Sequence, residues 1–171
     1  MPEATTKYLG KYRGTVVNNV DPLQQGRIQA TVPDVLGDTP CTFAMPCFPV
    51  AGPQTGMYAV PVVGTGVWIE FEQGDPGFPI WTGCWYGSVA EVPPAALAGP
   101  PGQPNILLQT RGQYSVLMSD LPGGPGITLR SPGGAIITVN DTGILISNGK
   151  GATISLVGTV VDVNTGGLTV T

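Results

Sequence analysis

Residues 127–156 have the sequence ITLRSPGGAIITVNDTGILISNGKGATISL. Branched apolar residues occur here in pairs that flank a single position, and Gly, Pro, Asn or Asp falls in each gap between pairs. Side chains two positions apart lie on the same face of a β-strand, and the gap residues are those that form tight turns. The segment therefore predicts a series of very short strands, each with one apolar face.

The same pairing extends over the last third of the chain. The eight pairs are Ile106/Leu108, Val116/Met118, Ile127/Leu129, Ile137/Val139, Ile144/Ile146, Ile154/Leu156, Val161/Val163 and Leu168/Val170. No helical pattern accompanies them that could cover an apolar face. A single sheet of this kind cannot close a core by itself, so we expect it to associate with copies of itself.

Composition narrows the class of protein. The chain has 26 Gly and 18 Pro in 171 residues, yet 42% of its residues are hydrophobic, so these residues separate strands rather than produce disorder. Charged residues make up 11%, which is low for a soluble monomer and suggests that partners cover much of the surface. The net charge of −4 disfavours a nucleic-acid partner. Met1-Pro2-Glu3 opens no signal peptide, so we expect synthesis in the cytoplasm.

Residues that carry catalytic or metal chemistry are scarce. The chain contains no His, which excludes Ser-His and Cys-His catalysis and every His-containing metal site. The spacing of Cys41, Cys47 and Cys84 does not fit zinc, and we expect these cysteines to be buried and reduced. Glu70 and Glu72 alternate on one predicted strand and are interpreted as ordinary strand carboxylates. We therefore predict no enzymatic activity, no cofactor and no metal.

Two further features of the tail have structural interpretations. Residues 148–151, Asn-Gly-Lys-Gly, are faintly similar to a phosphate-binding loop, but the glycine spacing is wrong and we expect a turn. The charged residues after position 100 fall 9 to 12 residues apart: they are Arg111, Asp120, Arg130, Asp141, Lys150 and Asp162. We expect them to form solvated rims or pairs between chains.

The first half of the chain has the composition of a conventional core. Eleven of the twelve aromatic residues precede residue 87. We predict a domain over residues 1–87, a Pro/Gly-rich and extended linker over 88–105, and a β-stranded needle over 106–171. The predicted strands of the first domain are Leu9–Val20, Gln25–Val32, Thr42–Phe48, Gly66–Glu72 and Pro79–Tyr86. Five strands with one long excursion are typical of an OB-type Greek-key barrel.

Several motifs of this first domain occur together in a known order. They are Gly14-Thr15-Val16-Val17, Asp21-Pro22, residues 26–33, residues 61–72, Gly74-Asp75 and residues 79–83. Over roughly residues 8–87 they resemble the central spike of contractile injection systems. This family includes phage baseplate assembly protein V, the T4-like cell-puncturing spike and the type VI secretion spike.

The resemblance implies an all-β homotrimer, in which an N-terminal OB-type five-stranded barrel precedes a C-terminal intertwined triple-stranded β-helix. The expected trimer core is Ile127, Leu129, Ile137, Val139, Ile144, Ile146, Ile154, Leu156, Val161 and Val163. The expected partners are a baseplate hub protein at the N-terminal end and a PAAR-like tip protein that contacts Leu168 and Val170. Residues 88–105 leave no room for the lysozyme domain of T4-like spikes.

The function that this resemblance implies is structural. A trimeric needle in a phage tail or phage tail-like particle would pierce the target envelope when the sheath contracts, touching the target membrane only transiently. The alternative is an OB-fold module that binds single-stranded nucleic acid or a glycan.

Overall fold

The chain is almost entirely β-stranded and divides into two units, the first ending at Val89 and the second starting at Ala90. The computed structural model describes residues 6–103 and 105–170, and for residues 169 and 170 it describes the backbone alone. Within these residues no helix has the length and apolar character needed to cross a membrane.

The first unit contains eight strands and one short helix. The strands are β1 (Tyr12–Asn18), β2 (Gln29–Val32), β3 (Gly37–Pro40), β4 (Met45–Pro46), β5 (Ala51–Gly52), β6 (Thr55–Gly56), β7 (Gly66–Phe71) and β8 (Pro79–Trp85), and helix α1 is Pro33–Leu36. Six of them form a sheet in the order β3-β2-β1-β7-β8-β4, and β5 pairs with β6. An antiparallel bridge between Ile28 and Ala44 connects the residue before β2 with the residue before β4.

Each of the five strands predicted for this unit is present, although shorter than expected. Three features were not predicted: helix α1, strand β3, and the β5–β6 hairpin inside the excursion between β4 and β7. Pro33 starts the helix, because its ring fixes φ near the helical value.

The core of the first unit lies on one face of its sheet. In β7, Val67, Ile69 and Phe71 are buried and the residues between them are only half-buried, which is the alternation expected of a strand. The whole buried set is Val16, Ile28, Ala30, Val32, Cys41, Ala44, Val67, Ile69, Phe71 and Trp81.

The prediction that all cysteines are buried was wrong for two of the three. Cys41 is buried, and burial raises the pKa of its thiol, but Cys47 and Cys84 are exposed. Cys47 follows the two-residue strand β4, and Cys84 is the second-last residue of β8. Both therefore lie at or next to a strand end. All three thiols are free.

One carboxylate organises the turn between β1 and β2. Asp21 accepts hydrogen bonds from the backbone N–H groups of Leu23, Gln25 and Arg27, and its Oδ1 accepts from the Arg27 guanidinium at 2.6 Å. The Asp21 side chain is only 4% exposed. The hydrogen bond from Arg27 lowers the pKa of Asp21 well below its usual range. The motif at residues 21–27 is therefore a turn closed by a buried ion pair.

The second unit is a single antiparallel meander. Its strands are β9 (Ile106–Gln109), β10 (Ser115–Met118), β11 (Ile127–Arg130), β12 (Ile136–Asn140), β13 (Gly143–Ser147), β14 (Thr153–Val157), β15 (Val160–Val163) and β16 (Leu168–Val170). Each strand pairs with the next one along the chain, so the order in the sheet is the order in the sequence. All eight predicted pairs of apolar residues lie within these strands.

The segment before β9 was predicted to be extended, but it is folded. It contains 3-10 turns at Val89–Glu91 and Pro94–Leu97. Asn105 then donates its backbone N–H to Ala96 O at 3.1 Å and its side-chain amide to Ala95 O at 2.8 Å. The prolines thus start turns, and an asparagine closes the segment on itself.

Replacing Asp21 tests the buried ion pair. Because the folded-state pKa of Asp21 is lowered, this group stabilises the fold above the unfolded pKa of about 4, and the contribution is lost as the pH falls below that value. We expect Asp21→Asn to lower the melting temperature at neutral pH and the difference from wild type to shrink below about pH 4. Tryptophan fluorescence reports on the first unit, which contains all three Trp residues.

The matched control is Asp38→Asn, which changes an exposed carboxylate on β3. It should leave the melting temperature nearly unchanged at every pH. A difference between Asp21→Asn and wild type that stays constant from neutral pH into the acid range would contradict the assignment.

Candidate trimer interface

The strand registers place all eight apolar pairs on one face of the second unit. Directly opposed residues of an antiparallel ladder project from the same face of the sheet. One column of opposed positions is Leu108, Val116, Leu129, Ile137, Ile146, Ile154, Val163 and Leu168. The other is Ile106, Met118, Ile127, Val139, Ile144, Leu156, Val161 and Val170. We call these two columns the apolar face.

The apolar face is incompletely covered within a single chain. Ile127 remains 52% exposed, Leu129 46% and Ile146 40%. Ile137, Val139, Ile144, Ile154 and Leu156 are also exposed, and Val161 and Val163 are half-buried. Continuous apolar surface of this extent marks a protein–protein contact. The structure thus brings the predicted core residues together on one surface, and their burial in a trimer stays a prediction.

The residues predicted to contact a tip protein lie at the last strand. Leu168 is 59% exposed, and the side chain of Val170 lies outside the described residues. Strand β16 pairs with β15 on one side only, so it forms one end of the sheet.

The opposite face of the same sheet is more polar. Its central positions are Leu107, Leu117, Thr128, Thr138, Leu145, Ser155 and Asp162. The Thr128 hydroxyl donates to Pro125 O at 3.2 Å, which satisfies it within the chain. This difference in polarity favours the apolar face as the one directed at other copies, which stays a prediction.

Backbone hydrogen bonding in the sheet is satisfied mainly inside the chain. Each of the strands from β10 to β15 has a partner strand on both sides, and only β9 and β16 have a free edge. Association of several chains therefore adds side-chain packing along the whole sheet, and adds backbone pairing only at its two ends.

The two carboxylates predicted to alternate on one strand, Glu70 and Glu72, are separated by local structure. Glu70 lies in β7 and accepts a hydrogen bond from Lys11 Nζ at 2.7 Å, while the same amine reaches the Thr82 hydroxyl at 3.0 Å. Glu72 begins a 3-10 turn in which Gln73 adopts a positive φ of 52°. The two carboxylates therefore do not share a strand, contrary to the prediction.

The phosphate-loop resemblance at residue 148 has a structural explanation. Asn148 Oδ1 accepts from the backbone N–H of Lys150 at 2.8 Å and of Ala152 at 3.0 Å, which closes a turn between β13 and β14, as expected. Across the described parts of the chain, no group of three or more metal-ligating side chains is present.

Several aromatic rings of the first unit contact each other. Phe48 contacts Trp81 and Tyr58, with ring centroids 5.4 and 5.5 Å apart. On the outer face of the sheet, the Arg13 guanidinium lies 5.7 Å from the Trp68 ring and 5.2 Å from the Trp85 ring. Sequence-tolerant binding of nucleic acid requires free ring faces on which bases stack. Trp81 is buried and Arg13 covers Trp68 and Trp85, whereas Tyr58, Phe78 and Tyr86 remain exposed.

A charge on the apolar face tests its role. In Ile146→Asp, three carboxylates would be buried together in a trimer, and each unpaired buried charge costs on the order of several kcal/mol. We expect the variant to lose the trimer or to melt far below wild type, as measured by light scattering and thermal unfolding.

Leu145→Asp is the matched control. Leu145 is in the same strand and 38% exposed against 40% for Ile146, but it projects from the opposite face. This variant should remain a trimer with nearly unchanged melting. Equal effects of the two substitutions would contradict the assignment of faces.

Comparison with known families covers both units. The family model of the type VI secretion system/phage-baseplate injector OB domain matches residues 12–86. The model of the phage baseplate V C-terminal trimerisation domain matches residues 105–169. None of the curated proteins matches the chain. The two domain matches, in this order, confirm the resemblance and the predicted fold class. The chain belongs to the phage baseplate V family, with an injector OB domain followed by the trimerisation domain of a baseplate spike.

Proposed function

We propose that this protein is the central needle of a contractile injection machine and pierces the target envelope when the sheath contracts. Its place as a structural spike component of a phage tail or tail-like particle follows from the family. The observation that carries the finer proposal is the apolar face, which runs without interruption through all eight strands of the second unit.

A needle requires stiffness along its axis, and the second unit is suited to this. Eight strands stacked at roughly 4.8 Å extend on the order of 40 Å. Hydrogen bonds connect each strand to the next, and three apolar faces packed together would prevent the strands from separating. In this proposal residues 1–87 form the base, residues 88–105 connect, and residues 106–171 form the shaft.

The proposed mechanism involves no chemical turnover. Glu70 is held by Lys11 on the surface, and the chain has no His to act as a general base. The force is supplied by the sheath, and the protein contributes shape and rigidity.

The proposed partners bind at opposite ends of the chain. Residues 7–11 would face the hub: Tyr8 donates its backbone N–H to Gly74 O at 3.0 Å, which holds this segment on the OB domain, and Leu9 is 73% exposed. A PAAR-like tip protein would cover Leu168 and Val170, because β16 leaves backbone groups on its outer edge without a strand partner.

The oligomeric state tests the core of the proposal. Light scattering should give a particle of about 53 kDa, three times the 17.6 kDa of the chain, at every concentration down to the micromolar range. The expected cause is burial of three apolar faces, and persistence in mild denaturant would support it. A monodisperse monomer would refute the spike.

The two ends can be separated by reciprocal variants. Deletion of residues 164–171 removes β16 and should abolish loading of the tip protein while the hub still binds. Leu9→Asp should weaken the hub complex while the tip still binds. A pull-down in which the truncated spike retains its tip would rule out the assignment of the C-terminal end.

A further inference from the structure

The strands of the C-terminal sheet begin and end along its two sides, and the meander places each connection on one of these sides. We call the two sides the long edges of the sheet, as distinct from its outer strands β9 and β16. Because successive strands run in opposite directions, alternate turns fall on the same edge. One edge carries the turns 110–114, 131–135, 148–152 and 164–167. The other edge carries the connections 119–126, 141–142 and 158–159.

The charged residues of the tail are sorted between these edges by sign. Arg111 and Lys150 lie in turns of the first edge, and Arg130 is the last residue of β11 at that same edge. Asp120 and Asp141 lie in connections of the second edge. We call these the basic edge and the acidic edge.

The one remaining charge has a different role. Asp162 belongs to the more polar face, and its Oδ1 accepts a hydrogen bond from Gly166 N–H at 2.6 Å, which shapes the turn before β16. Asp162 lies next to the last residue of β15 at the basic edge and is therefore the one exception to the sorting.

The sorted charges have no ionic partner within the described chain. The ion pairs found in residues 6–103 and 105–170 join Lys11 to Glu70 and Arg27 to Asp21, all in the first unit. The sorted charged residues on the two long edges are all exposed; they are Arg111, Asp120, Arg130, Asp141 and Lys150. These five charges are thus available to another molecule.

The backbone that carries the basic edge is closely packed. A Cβ atom on Gly149 would lie 2.6 Å from the carbonyl carbon of Gly134, so the turns at 131–135 and 148–152 stack directly on each other. Ser131 and Asn148 brace these turns in the same way, each accepting a hydrogen bond from the residue four positions later. The charges on this edge consequently project from a defined surface.

Cyclic symmetry determines which edges can meet. When three identical sheets surround an axis with their apolar faces inward, each chain presents one edge to the next chain and receives the opposite edge of the previous one. Every corner of such a trimer brings a basic edge against an acidic edge.

We infer that the basic edge of each chain docks on the acidic edge of its neighbour, and that these contacts set the direction and register of the three chains. The inference rests on the proposed trimer and adds the residues that orient it. Arg111 lies between β9 and β10 and Asp120 between β10 and β11, so an axial offset of one strand, about 5 Å, aligns them. A similar offset brings Arg130 towards Asp141.

Charge reversal on each edge tests the docking. One variant, Asp120→Arg with Asp141→Arg, makes both edges basic. A second, Arg111→Asp with Arg130→Asp, reverses two of the three positive charges of the basic edge and leaves only Lys150 positive. We expect each to assemble more weakly than wild type at low salt and to regain stability as salt is added, whereas added salt should weaken the wild-type trimer.

The variant that combines all four substitutions exchanges the signs within the two aligned pairs, Arg111 with Asp120 and Arg130 with Asp141, and leaves Lys150 unchanged. It should recover the wild-type trimer and the wild-type direction of the salt response. Co-expression of the two reversed chains with different tags should give mixed trimers in preference to uniform ones. The control is Asp34→Arg with Asp38→Arg, which changes the net charge as much as the first variant but alters the first unit.

The outcomes separate this inference from the proposed function. Thermal unfolding followed by tryptophan fluorescence shows that the first unit of each variant is folded. If the reversed chains form trimers with the wild-type salt response, or if the combined variant fails to recover, the docking of edges is wrong although the spike remains. If the wild-type chain itself is monomeric, the proposed function fails first.

Discussion

The apolar face of the C-terminal sheet is the constraint on which the rest of the structure depends. Each strand is three to five residues long and contributes two apolar positions to that face. Burial of apolar area stabilises by roughly 25 cal/mol per Å², and no element of the second unit is placed to provide it. The face begins at Ile106 in the first strand, β9, and this side chain is 62% exposed. Even the first strand therefore lacks cover within the chain. Burial of the apolar face in the proposed trimer would thus complete the fold rather than add to it.

The first unit shows by contrast what a self-sufficient core requires. Its sheet encloses aromatic and branched side chains, and Trp81 donates its indole N–H to Gly26 O at 3.1 Å inside that core. Gly26 has a φ of +81°, and a Cβ at this position would lie 2.9 Å from the Phe48 ring. Such large rings need a wide interior with polar groups positioned for them. The tail has no aromatic residue after Tyr114, which is the composition expected if three closely packed faces leave no comparable space.

The sequence predicted the tail better than the first unit, for a physical reason. In the tail, the two-residue period and the turn residues agree at every strand, so each turn also fixes the register of the next strand. Helix α1 and strand β3 follow one another within eight residues, too short a span for any period to appear. The exposure of Cys47 and Cys84 depends on where strands end in space. The sorting of charges could not be predicted from the sequence either. A spacing of 9 to 12 residues assigns a charge to an edge only once the meander is known.

The apolar contacts and the charged contacts in the proposed trimer have different physical effects. Apolar columns are attractive but weakly directional, and two such faces could pack with one sheet turned end over end. Turning a neighbour in this way also exchanges its edges, which would place the basic edge of one chain against the basic edge of the next. Exposed ion pairs contribute little stability, about 0–1 kcal/mol each, but like charges at a contact disfavour the wrong arrangement. A spike needs all three C-termini at one end. Few charges are sufficient for this purpose when each is placed on the correct edge.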